Sequence, residues 1–117
     1  MKTNLATRKL VAELRKAGKD IPLWKRIASE LEKATRSYCS VNISKIDKFV
    51  REGETAIIPG KVLSLGSLSK KTTVAAFQFS EAAKEKINKN GVAITIQELL
   101  KKNPKGNKVR ILKWQLE

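Results

Sequence analysis

Histidine is absent from the 117-residue sequence, and cysteine occurs once, at Cys39. No disulfide can form within the chain. A structural zinc site is all but excluded, because such sites take four Cys or His ligands. The commonest general base is missing, and with it any Cys–His nucleophilic pair. Cys39 is read as a small, partly buried apolar residue. Aromatics are only 5% of the chain, and Phe49, Phe77 and Phe79 fall at core periodicity. The exposed stacking platforms of single-strand binders and the aromatic sheet of an RRM are therefore not expected. No apolar run is long enough to span a bilayer. No secretory, myristoylation or prenylation pattern is found, so a cytosolic protein is expected.

Acidic residues are the other shortage. Eleven Asp and Glu face 25 Lys and Arg, giving a formal charge of +14. Compacting so much like charge costs free energy through self-repulsion, and a polyanion would relieve it. A membrane surface would also attract the charge, but it usually requires a large apolar helix face or a lipid anchor. The shortage is uneven. Thr55–Ser80, Leu99–Leu116 and Lys33–Ile46 contain no carboxylate. An ordinary solvated face mixes signs, as Glu81–Lys89 does. The acid-free segments instead fit a phosphate-facing surface.

What is present suits one domain, residues 1–117, mainly helical over 1–53 and mixed α/β over 54–117. The first helix is expected from Asn4 as N-cap to Ala17, with Leu10, Val11, Leu14 and Ala17 on one arc and Gly18 as terminator. Pro22 opens a second, with Trp24, Ile27, Ala28, Leu31 and Ala34 on its core face. Asn42 is placed to cap a third, short helix stapled by Val41 and Ile46. Ile43, Ile46 and Phe49 or Val50 form its buried stripe, and Gly53 ends it. Thr55–Ile58 reads as a short strand broken into a turn by Pro59-Gly60, and Lys61–Leu65 as its continuation. Thr72–Phe79 has apolar residues on both faces, the mark of a central strand, with Ala75, Phe77 and Phe79 pointing one way. Ser80 caps a helix over Glu81–Lys89. Thr95 and Glu98 form a capping box for a helix to Lys102. Asn103-Pro104 and Gly106 mark turns before a last strand, Val109–Leu112.

The residues expected to meet RNA are cations on helix backs and in loops. They are Arg8, Arg15, Lys25, Arg26, Lys33, Arg36, Lys45, Lys61, Lys70, Lys71, Lys105, Lys108 and Arg110. Arginine grips phosphate bidentately, whereas lysine acts as a point charge. Tyr38 can stack on a base or pack inward. Asn42 caps its helix, and with Arg36 and Lys45 it marks a corner where backbone N–H groups can hold a phosphate. Gly60 allows an unusual backbone conformation or a close approach, on a loop that holds Lys61 rigid. Recognition would then rest on phosphates, riboses and RNA shape. A DNA-packaging protein or RNA chaperone fits the charge equally well. A metal-dependent nuclease would need Asp20, Asp47, Glu52 and Glu54 to converge, yet no paired-carboxylate motif is apparent.

Specific strings narrow this further. Trp24, Ala28, Leu31-Glu32-Lys33 and Arg36 precede Val41-Asn42. Thr55, Pro59-Gly60-Lys61-Val62-Leu63, Gly66, Leu68 and Lys70 follow. Then come Thr73-Val74-Ala75-Ala76, Phe79-Ser80, Ala83, Lys86-Ile87, Asn103-Pro104, Gly106 and Val109-Arg110. In that order they resemble the archaeal and eukaryotic large-subunit ribosomal protein family L-eighteen-e, over nearly the whole chain. The length is similar to archaeal members. Tyr38 and Cys39 depart from the family pattern, which is more polar there. The resemblance implies an α/β fold: N-terminal helices followed by an irregular β-β-α layered core like that of ribosomal protein L-fifteen. It also implies a structural constituent of the large subunit without catalysis or cofactor. Its partners would be large-subunit ribosomal RNA and neighbouring ribosomal proteins, with no membrane and no small-molecule substrate.

Overall fold

The computed structural model describes residues 5–32 and 39–112. Two helices come first, α1 (Leu5–Ala17) and α2 (Pro22–Leu31). Strand β1 (Cys39–Asn42) leads directly into α3 (Ile43–Phe49). Then follow β2 (Thr55–Leu63), β3 (Thr73–Phe79), α4 (Glu81–Asn90), β4 (Val92–Thr95), α5 (Ile96–Lys102) and β5 (Val109–Ile111).

Every strand pair is parallel. The order is β1-β2-β3-β4, and β5 also pairs with β2. β3 occupies one edge of β2. The other edge is shared end to end, by β5 along Thr55–Ile57 and by β1 along Gly60–Leu63. A parallel sheet needs cover on both faces, and the helices supply it. On one side Ile43, Ile46 and Val50 pack with Ala83 and Ile87 against Val41, Ala56, Ile58, Val62, Val74 and Ala76. On the other, Leu14 of α1, Trp24 and Ile27 of α2 and Leu99 of α5 pack against Ile57, Ala75 and Ile94. Each large apolar side chain so buried contributes about 1.5–3 kcal/mol.

Local signals explain the ends. Pro22 sits in the first turn of α2. The Ser80 hydroxyl accepts from the Ala83 N–H at the start of α4. Thr95 and Glu98 complete the capping box of α5. Val50 is fully buried while Phe49 is half-buried, which settles the end of the α3 stripe.

Three expectations are corrected. The residues of β1 and β4 read as loops and caps in the sequence; each forms a four-residue strand, too short to show a period. Pro59-Gly60 is not a turn. Both residues are buried within β2, where three steps from Ile58 to Lys61 face two steps of β3. A bulge tolerates the missing proline N–H inside a sheet. That shift pairs Phe79 with Val62 and packs it with the α3–α4 layer, not with Ala75 and Phe77. Gly18 follows Ala17, the last residue of α1, as expected of a terminator; its backbone is not left-handed, and a Cβ there would lie 2.7 Å from Lys25 Cβ, so it also permits close approach of α1 to α2. Asn4, Lys33, Ala34, Arg36, Tyr38 and the stretch after Leu112 lie outside the described residues.

Candidate nucleic-acid interface

The strand register sets one surface patch. Ser40, Lys61 and Gln78 lie side by side across β1, β2 and β3, and all three are exposed. They are on the face opposite Val41, Val62 and Phe79, which pack with the α3–α4 layer. Sequence alone points to Lys61. It misses Ser40 and Gln78, because only the register puts them beside it.

The loop after β2 is pinned at many points. The Leu65 N–H donates to Asn42 Oδ1 (3.2 Å), and the Ser44 N–H donates to the Leu65 carbonyl (3.0 Å). Lys86 donates to the carbonyls of Ser64 and Gly66. Ser69 donates through its N–H and hydroxyl to Asp47. These bonds occupy part of the expected phosphate corner at the start of α3, whose third member, Arg36, lies outside the described residues. Asn42 occupies the N-cap position but makes no side-chain cap bond; its amide oxygen holds Leu65, and the loop takes up the nearby Ser44 N–H. Asp47 is also engaged there, accepting from Ser69. Leu65 itself is 68% exposed.

At the other end of the sheet, loops converge on the starts of β2, β3 and β5. The ammonium of Lys70 donates to the carbonyls of Asp47 (2.5 Å) and Val50 (2.9 Å) at the end of α3. This uses the cation to satisfy orphan helix carbonyls. Lys71 is exposed. Arg110 makes a two-pronged pair with Glu54, at 3.1 and 3.2 Å. That contact, then the Arg51 N–H, holds the Glu54 carboxyl below its ordinary range, and Glu54 in turn raises Arg110. Much of Arg110's charge is thus locally answered.

The turn between α5 and β5 is a third feature. Asn103 donates to the Asn107 carbonyl and accepts from its N–H. Gly106 has φ 69°, and its N–H donates to the Asn103 carbonyl. The indole N–H of Trp24 donates to the Pro104 carbonyl. Lys108 has φ 55°, a left-handed conformation that costs a side-chain-bearing residue about 1–2 kcal/mol. Its carbonyl accepts from Thr55 N–H at the head of β2. Lys105 and Lys108 are both exposed.

The remaining expected residues are scattered. Arg8, Lys25 and Arg26 are exposed on α1 and α2. Arg15 is exposed and ion-paired with Glu32. Lys45 is half-buried on α3. Gly60 is buried opposite Cys39 in β1, so close approach from outside at Gly60 is corrected. Lys33, Arg36 and Tyr38 lie outside the described residues. Among the described residues no cluster of three or more Cys, Asp or Glu could hold a metal ion, and no helix is long and apolar enough to cross a membrane.

Comparison with known proteins agrees with this architecture. Residues 23–95 match the ribosomal protein family that comprises 50S-L15, 50S-L18e and the 60S protein L-twenty-seven-A. A protein of Methanosphaerula palustris named "Large ribosomal subunit protein eL18" is 46% identical over 115 residues, 96% of this chain and 95% of the relative. Its namesake in Methanococcus maripaludis is 45% identical over 115 residues, 96% of each chain. That of Thermoplasma acidophilum is 47% identical over 92 residues, 78% of this chain and 77% of the relative. By these matches the chain belongs to the L-eighteen-e and L-fifteen family of large-subunit ribosomal proteins.

Proposed function

We propose that this protein is a non-catalytic structural constituent of the large ribosomal subunit that binds folded large-subunit ribosomal RNA and contacts neighbouring ribosomal proteins. The observation that carries the reading is a set of exposed lysines on rigid supports. Lys61 sits on a sheet strand, and Lys105 and Lys108 sit on a hydrogen-bonded turn. Fixed cations lose less entropy on meeting a phosphate than waving ones do. Lys108 precedes β5 and bonds to Thr55, six residues before Lys61 along β2. At about 3.3 Å per strand residue, the two patches stand roughly 20 Å apart along the sheet. A folded RNA, with backbones running at several angles, can meet both.

Contacts of this kind read phosphates and shape more than base sequence. The relatives' name, large ribosomal subunit protein, supports the same reading. Competition between refolded large-subunit ribosomal RNA and duplex DNA at matched salt tests it. Preference for the folded RNA is expected. Equal or better binding of the DNA would favour a general packaging role instead.

A further inference from the structure

We propose that the Asn103–Lys108 turn is a built phosphate grip, a subsite resting on the RNA-binding reading above, in which the ammonium groups of Lys105 and Lys108 clasp one stretch of sugar–phosphate backbone. The backbone at Lys108 is strained. Lys108 has φ 55°, and it is the one positive-φ residue other than glycine among the described residues. Glycine or asparagine would suit that conformation better. A lysine held there serves something other than the local backbone, and backbone outliers are often retained where a side chain has work to do.

The turn is also rigid. The turn is closed by the reciprocal Asn103–Asn107 bonds and by Gly106 N–H on the Asn103 carbonyl. From below, Trp24 holds the Pro104 carbonyl, and from the side Thr55 N–H holds the Lys108 carbonyl. None of these bonds uses a lysine ammonium. The turn is therefore complete without either charge, and it presents both on a frame anchored to α2 and β2.

Positive charge gathers on the same turn. Between Leu99 and Leu112 no carboxylate occurs in the sequence, whereas Lys101 and Lys102 precede the turn. Arg110 lies just beyond but is answered by Glu54. Lys105 and Lys108 thus form the unanswered centre of the segment. Two point charges three residues apart on a fixed turn suit adjacent phosphate oxygens along a nucleic-acid strand.

The test uses the full chain and refolded archaeal large-subunit ribosomal RNA, with binding measured across a salt series. The variants are Lys105→Ala, Lys108→Asn, Lys108→Gly and, as a control, Lys84→Ala on the exposed side of α4. Lys108→Asn should melt at the same temperature as the parent or higher, because strain is relieved. Its salt slope should fall by roughly one unit, which lowers affinity at 0.1 M salt about tenfold. Lys105→Ala should behave likewise in binding, and Lys84→Ala should leave both readouts unchanged. An undiminished slope in both Lys108 variants, with parent-like RNA binding, would overturn the grip. So would a clear drop in melting temperature for Lys108→Asn and Lys108→Gly alike, since the lysine would then be structural. A parent protein that fails to bind the folded RNA, or binds duplex DNA as well or better, would instead overturn the RNA reading beneath it.

Discussion

The indole N–H of Trp24 donates to the Pro104 carbonyl at 2.6 Å, across 80 residues of sequence. Trp24 is fully buried among α1, α2 and the sheet. One side chain therefore fills the core and fixes the turn that carries Lys105 and Lys108. Trp24→Phe keeps most of the apolar volume but leaves the part-buried carbonyl without this donor. An expected loss of about 1–3 kcal/mol follows, measurable by urea unfolding followed with far-UV circular dichroism. A loss below about 0.5 kcal/mol would show that the bond does not hold the turn.

Two glycines separate backbone strain from crowding. Gly66 has φ 98°, and a Cβ there would lie 2.7 Å from Ser44 Cβ and 2.8 Å from Ser44 N. Gly53 has φ 86°, but a Cβ would meet nothing within 4 Å. Gly53→Ala should cost about 1–2 kcal/mol, the left-handed term alone. Gly66→Ala should cost more, by roughly 1–3 kcal/mol for overpacking. Equal losses in thermal unfolding would contradict the close approach of the loop to α3.

Lys70 and Lys61 should part company when mutated. Lys70 caps α3 through two carbonyls, so Lys70→Ala should lower stability by about 1 kcal/mol. Lys61 is exposed between Ser40 and Gln78. Lys61→Glu should leave stability within about 0.5 kcal/mol and cut RNA affinity at least tenfold at 0.1 M salt. Melting curves and binding isotherms on the same preparations distinguish the two roles. The reverse pattern would move the RNA-facing surface away from the sheet patch.

Acid should destabilise the fold. Glu54 is held below the ordinary carboxylate range chiefly by Arg110, and Glu98 chiefly by the Thr95 N–H of its capping box. In the unfolded chain each carboxyl regains its ordinary, higher pKa and binds protons more readily. The stability they contribute is complete above the ordinary range and is lost as pH falls through the folded-state values. Protonation also adds to a charge already at +14, and self-repulsion acts in the same direction. Glu98→Gln should therefore flatten the loss of melting temperature between neutral and acid pH. An identical pH profile in parent and variant would argue against the capping-box contribution.

Much of the framework was legible in the chain. Pro22, Ser80 and the Thr95–Glu98 box mark helix starts through local chemistry, and the α2 stripe named Trp24, Ile27, Ala28 and Leu31 as buried, as they are. The two-sided apolar character of Thr72–Phe79 revealed a central strand, observed as Thr73–Phe79. β1 and β4 left no signal, since four residues hold too little periodicity and their pairing is decided by partners far along the chain. Pro59-Gly60 misled for a related reason: its turn chemistry is local, whereas the bulge that accommodates it depends on β3. The cationic loops were visible as acid-free segments. Which cations are already engaged was not, because Lys70 reaches helix carbonyls about twenty residues away and Arg110 reaches Glu54, 56 residues away.

Lysine reactivity in the mature particle is the most direct test of the central claim that fixed lysines on the sheet and its turns face ribosomal RNA. A small acylating reagent would be applied to the free protein and to purified large subunits, and modification read by mass spectrometry. The account predicts strong protection of Lys61, Lys105 and Lys108 in the subunit, with Lys84 and Lys89 on the exposed side of α4 still reactive. Lys61, Lys105 and Lys108 remaining as reactive as in the free protein would contradict it.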